Sequence, residues 1–110
     1  MQSSFVNDRQ KAVVTEKGVI MIHILVRHKV NDYASWKAVF DNHAGFRRSG
    51  GEKSHRIFHS GSDPNDLTML MEWDNLPNAE KFFSSPELKS AMQKAGVAEM
   101  LSIQFLNEAV

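Results

Sequence analysis

The chain has 110 residues, 42% of them hydrophobic and 24% charged, and its thirteen basic residues balance thirteen acidic ones. That size and usage suit one soluble globular domain, and a formal net charge of zero removes the attraction that would favour nucleic acid or a membrane surface as a partner. Cysteine is absent, which excludes disulfides, thiolate catalysis and cysteine-ligated metal, and an apolar stretch running only from Val19 to Val26, interrupted by His23, is far too short to span a bilayer.

Residues 1–20 mix charged and polar groups with no apolar segment and no small-residue cleavage site, so they read as a flexible N-terminal extension rather than a signal peptide, and a cytoplasmic protein is expected by default. The domain proper is expected over residues 21–108. Its first segment, Met21 to Val30, is rich in β-branched residues. Ile22, Ile24, Val26, His28 and Val30 form the more apolar alternate set, the pattern of a strand with one preferred face. Asn31 and Asp32 offer N-cap chemistry for a helix from Tyr33 to Ser49, stopped by Gly50 and Gly51, with Arg47 and Arg48 at its negative end as dipole partners on the surface.

On that helix Trp36, Val39, Phe40, His43 and Arg47 follow three- and four-residue spacing along one face. Glu52 to His59 reads as the second strand, Ser60 to Asn65 as a turn, and Asp66 to Trp73 as the third strand, with Leu67, Met69, Met71 and Trp73 on its apolar side. Pro77 suits the first turn of a helical piece over Asn78 to Phe83. Ser85, Pro86 and Glu87 then supply an N-cap, a first-turn proline and a dipole-matched acid for a second piece ending near Gly96. Met100 to Leu106 closes the domain as the fourth strand.

The order is βαββαβ, an α+β ferredoxin-like arrangement with a four-stranded antiparallel sheet and helices on one face. The other face is then left for a second copy, in a sheet-to-sheet homodimer. It would present His23, Arg27 and Glu72 at the seam, together with Leu25, Thr68 and Leu70. Charges at such a seam either pair between subunits and fix register or form an acid-base set.

Strand geometry bears on the histidines as metal ligands. His23 and His28 point to opposite faces of one strand, while His55 and His59 share a face but stand about 13 Å apart along it, so neither pair chelates and no metal is expected. His28 and His43 differ, because the first lies on the helix side of the sheet and the second on the sheet side of the helix. They are the candidate catalytic acid-base residues. Trp36, Phe40, Arg47, Met71 and Trp73 would line the same small-molecule pocket, with Arg47 available for an anionic group. The alternative is that both histidines are core-edge residues satisfied locally and that the aromatics are plain core.

The strand VRHKV followed by DYASWKAVFDNH, and above all EWDNLPNAEKFFSSPELKSAM, resemble the dimeric α+β barrel superfamily, in particular its antibiotic-biosynthesis-monooxygenase-like members, from about Met21 to Leu106. The resemblance implies sheets paired into a barrel and a ligand cleft between helices and sheet. It also implies a choice among chemistries: cofactor-independent oxygenases acting on aromatic or polyketide-like rings, haem-degrading enzymes, isomerases, and small non-catalytic binding or accessory proteins. Haem-degrading relatives carry a tryptophan where this chain has Trp73. Their ligating histidine, however, falls at Met92 here, so Met92 is carried as a ligand-lining residue and no cofactor is expected.

Overall fold

The computed structural model describes Val14–Thr15, Gly18–Val19 and residues 21–109, so most of the expected N-terminal extension lies outside the described residues. Val14–Thr15 (β1) and Gly18–Val19 (β2) pair as a minimal antiparallel ribbon. The main unit is Ile22–Val30 (β3), Tyr33–Asn42 (α1), Ala44–Gly50 (α2), Glu52–Ser60 (β4), Asp63–Trp73 (β5), Leu76–Phe83 (α3), Pro86–Ala95 (α4) and Val97–Leu106 (β6). The sheet order is β4-β5-β3-β6 with every pairing antiparallel, as the ferredoxin-like order requires.

The alternation read from the first and third strands holds in the structure. Ile22, Ile24, Val26, His28 and Val30 of β3 and Leu67, Met69, Met71 and Trp73 of β5 are buried beneath the helices. Each large apolar side chain taken fully from water there contributes about 1.5–3 kcal/mol before entropy is counted, which is what fixes the register of the central strands. The helices start where the caps place them. The carboxylate of Asp32 accepts from the Ser35 N–H, the side chain of Asn75 from the Asn78 N–H, and the hydroxyl of Ser85 from the Leu88 N–H. Gly51, at φ 122°, turns the chain out of α2; a side chain there would meet Asp74 and the Trp73 ring.

The structure departs from the expected single helix over Tyr33 to Ser49. The chain breaks at His43, whose N–H is shared between the carbonyls of Val39 and Phe40, and restarts as α2. Gly45, two residues past the break, is a weak helix former, but a lone glycine does not stop a helix. The break is held by side chains instead, because Nδ1 of His43 reaches the Val39 carbonyl at 2.9 Å and Nη1 of Arg47 donates to the Phe40 carbonyl. β6 carries a bulge opposite Arg27 and His28, so Leu101 has no register partner and Met100 faces His28.

Candidate functional site

The bend places His43 over the sheet and opens a cavity between the helices and the helix-covered face. Val26 and His28 of β3, Met69 and Met71 of β5 and Met100 of β6 form its floor. Trp36, Val39 and Phe40 of α1, His43, and Phe46 and Arg47 of α2 form one wall. Phe82 and Phe83 of α3 and Leu88, Ala91, Met92 and Ala95 of α4 form the other. The cavity volume is about 70 Å³, enough for roughly two waters at ~30 Å³ each.

The lining is apolar except for three side chains. His28 is 2% exposed, and neither ring nitrogen has a hydrogen-bond partner. Burial pushes its pKa down to about 4, so the ring is neutral at pH 7 and carries one idle donor and one idle acceptor. Trp36 stands edge-on to it at 5.5 Å between centroids. Leaving both nitrogens bare in an apolar setting costs free energy, the usual mark of a group that awaits a partner.

His43 is the second polar group. A carbonyl oxygen can only accept, so the 2.9 Å contact with Val39 requires the proton on Nδ1 and leaves Nε2 as the basic nitrogen of the neutral ring. The same bond that stabilises the helix break therefore fixes the tautomer. His28 from the floor and His43 from the roof both line the one cavity, as the parity argument expected.

Arg47 is the third, and here the sequence reading needs correction. Far from lying on the surface, Arg47 is 5% exposed. Its Nε donates to both carboxylate oxygens of Glu52 at 3.2 and 3.1 Å, and its guanidinium lies 3.5 Å over the Phe40 ring. Glu52 is buried too and also receives His55, whose Nδ1 is 3.2 Å away. A buried arginine is tolerable only with such a partner. The sequence hides the pair because Glu52 lies beyond the two glycines that reverse the chain.

Trp36, Phe40, Met71 and Met92 line the cavity as expected. Trp73 does not. It has no exposed surface, donates from Nε1 to the Gly50 carbonyl at 2.8 Å, and packs on Phe82 and Phe83. It lies on the correct face, but two residues past Met71, about 7 Å along the strand, where the end of α2 and α3 close over it. Sequence reasoning missed Phe82, Phe83 and Met100. The paired phenylalanines were a visible apolar signal, whereas the inward aim of Met100 depends on the β6 bulge.

On the uncovered sheet face Arg27 pairs within its own chain. It forms two hydrogen bonds with Asp66 at 3.1 and 2.7 Å, and those bonds hold the Asp66 carboxyl below the usual carboxylate range. Glu72 accepts from Ser54 at 2.9 Å and lies 3.7 Å from Nδ1 of His23. Among the described residues no cluster of three histidine, aspartate or glutamate side chains could hold a metal ion. No helix among them is long and apolar enough to cross a membrane. A cavity of this room also does not accommodate a haem, and none of the lining residues is a histidine placed on α4.

Comparison with known proteins points the same way on fold. No family model and no curated protein matches the chain. Solved structures do. An antibiotic biosynthesis monooxygenase-like protein of Bordetella bronchiseptica is similar with a TM-score of 0.68 at 18% identity, over 83% of this chain and 99% of that one. SnoaB, a cofactor-independent oxygenase from Streptomyces nogalater, gives 0.66 at 14% identity over 83% and 95%. A conserved protein from Methanosarcina mazei gives 0.65 at 14% identity over 82% and 94%.

Proposed function

We propose, from the antibiotic biosynthesis monooxygenase-like fold of this chain, that the cavity between helices and sheet is a small-molecule site and that the protein is a cofactor-independent monooxygenase acting on a hydroxylated aromatic or polyketide-like ring. The observation that carries this reading is His28, a buried neutral imidazole whose two nitrogens have no hydrogen-bond partner, in the lining of a mostly apolar cavity that His43 also lines. That fold is shared with an oxygenase described as cofactor-independent, which supports the reaction class without fixing the substrate.

In this mechanism His43 accepts the proton of a ring hydroxyl on Nε2, the nitrogen its backbone contact leaves free. His28 hydrogen-bonds a polar group of the same ring, and Trp36 and Phe40, stacked at 4.9 Å, pack on its face. The phenolate passes an electron to dioxygen, the two radicals join at a ring carbon, His43 returns its proton to the peroxide, and the hydroperoxide loses water as the ring hydroxyl carbon stays a carbonyl. One C–H becomes a C=O, and dioxygen delivers one oxygen atom to the product and one to water.

The proposed assembly is a homodimer through the uncovered sheet face, where Leu25 and Leu70 are cross-strand neighbours and Phe58 and Leu106 remain 45% and 40% exposed. The test of function begins with mass spectrometry of small molecules retained on the purified chain. It continues with oxygen uptake and ¹⁸O₂ labelling on hydroxylated aromatics, comparing the parent with His43→Ala. One labelled oxygen in the product, lost with turnover in the variant by about a hundredfold or more, is the expected result. Retained ligand without oxygen uptake would identify a binding protein instead, and no ligand affinity at all would overturn the site.

A further inference from the structure

Resting on the ligand-site reading above, the lining also bears on which rings the cavity takes. A volume of about 70 Å³ has no place for a fused polycycle, and a single six-membered ring enters only as the flexible methionines of the lining give way. Arg47 is the one lining residue with a permanent charge. Left free, a guanidinium at the wall of an apolar cavity would be a strong carboxylate trap. It is not left free: Glu52 takes its Nε, the Phe40 carbonyl takes Nη1, and the Phe40 ring covers one face.

We infer that the buried Arg47–Glu52 pair is a charge-selectivity device: it cancels the one fixed charge at the cavity wall, so the site takes neutral single-ring molecules bearing a hydroxyl or carbonyl and rejects carboxylates of the same shape. Two terms act together. A carboxylate entering the cavity loses its hydration with no free cation to compensate, and it approaches the Glu52 carboxylate behind Arg47. A neutral hydroxyl meets His28, whose idle acceptor and donor match it. The pair also holds the Phe40 carbonyl at the helix break, so the residues that set selectivity also shape the wall.

The experiment compares binding of 4-methylphenol, 4-methylbenzoate and toluene to the full chain at pH 7.5, by calorimetry and by quenching of Trp36 fluorescence. The parent is expected to bind the phenol at least about tenfold more tightly than either other probe. In Glu52→Gln, which keeps the shape and frees the Arg47 charge, the benzoate is expected to gain about tenfold or more and to overtake the phenol. The double variant Arg47→Met with Glu52→Met removes both charges and is expected to keep the order of the parent. It also carries the test if Glu52→Gln does not fold.

Benzoate binding as tight as phenol in the parent, an unmoved ratio in folded Glu52→Gln, or loss of the phenol preference in the double variant would each overturn the inference while leaving a ligand cavity in place. Failure of all three probes to bind the parent would overturn the ligand-site reading itself.

Discussion

The two faces of β3 carry opposite arrangements within one strand. Toward the helices, Ile24 and Val26 are sealed, His28 is sealed without a partner, and the charges nearby are matched inside the wall. Toward the open side, Arg27 and His23 alternate with Leu25, and their polar contacts are made near water with Asp66 and Glu72. Alternation alone thus separates a face where one unsatisfied group is expensive from one where a charge pair changes little. Stability belongs to the first face, for which ligand chemistry is proposed, as assembly is for the second.

That division is broken most severely by Trp73→Ala. It removes a fully buried ring and its bond to the Gly50 carbonyl, and is expected to lower unfolding free energy by about 3–5 kcal/mol in urea titration. A loss near that of a surface substitution would show that the helix face is not the core.

Acid gives the next effect. The pKa of His28 falls from 6.5 in the unfolded chain to about 4 when folded, so the unfolded state binds the extra proton first. Stability is intact above pH 6.5, declines as pH falls from 6.5 toward 4, and declines no further from this group below that. The total is about 3 kcal/mol. His28→Leu should remove this portion of the pH dependence; an unchanged profile would mean the ring is not held neutral by burial.

The open face is sharpened by Leu70→Lys combined with Leu25→Glu. These are expected to convert dimer to monomer in sedimentation equilibrium with a change in unfolding midpoint far below that of Trp73→Ala. Retained dimer would move the seam elsewhere. Smallest of all, Arg27→Ala should leave both the melting temperature and the dimer nearly unchanged, because its pair with Asp66 is closed within one chain. A large loss of dimer in Arg27→Ala would show that the pair opens to bridge subunits.

Much of the architecture was legible because it depends on short-range rules. Period-two burial located the closed faces of β3 and β5, and Asp32 and the Ser85-Pro86 pair located helix starts. The meeting of His28 with His43 at one cavity followed from parity on a strand and spacing on a helix. The break at His43 was not legible, since Gly45 alone does not stop a helix and the break is held by Arg47 reaching back to the Phe40 carbonyl, a contact between side chain and backbone that spacing does not show. The burial of Arg47 depends on Glu52 across a chain reversal, and the sealing of Trp73 on how closely Gly50 and Gly51 approach it. Each is a tertiary contact that sequence spacing does not encode.

The bare imidazole of His28 also makes the folded protein a reporter for its own ligand. A molecule that satisfies both nitrogens binds only the native state, and at a hundredfold excess over its Kd it adds about 2.7 kcal/mol to unfolding, several degrees in a melting curve. Silent libraries can therefore be sorted by heat alone, without knowing the reaction. His28→Leu should melt higher than the empty parent and lose its response to hydroxylated rings, so that the tighter fold becomes the deaf one.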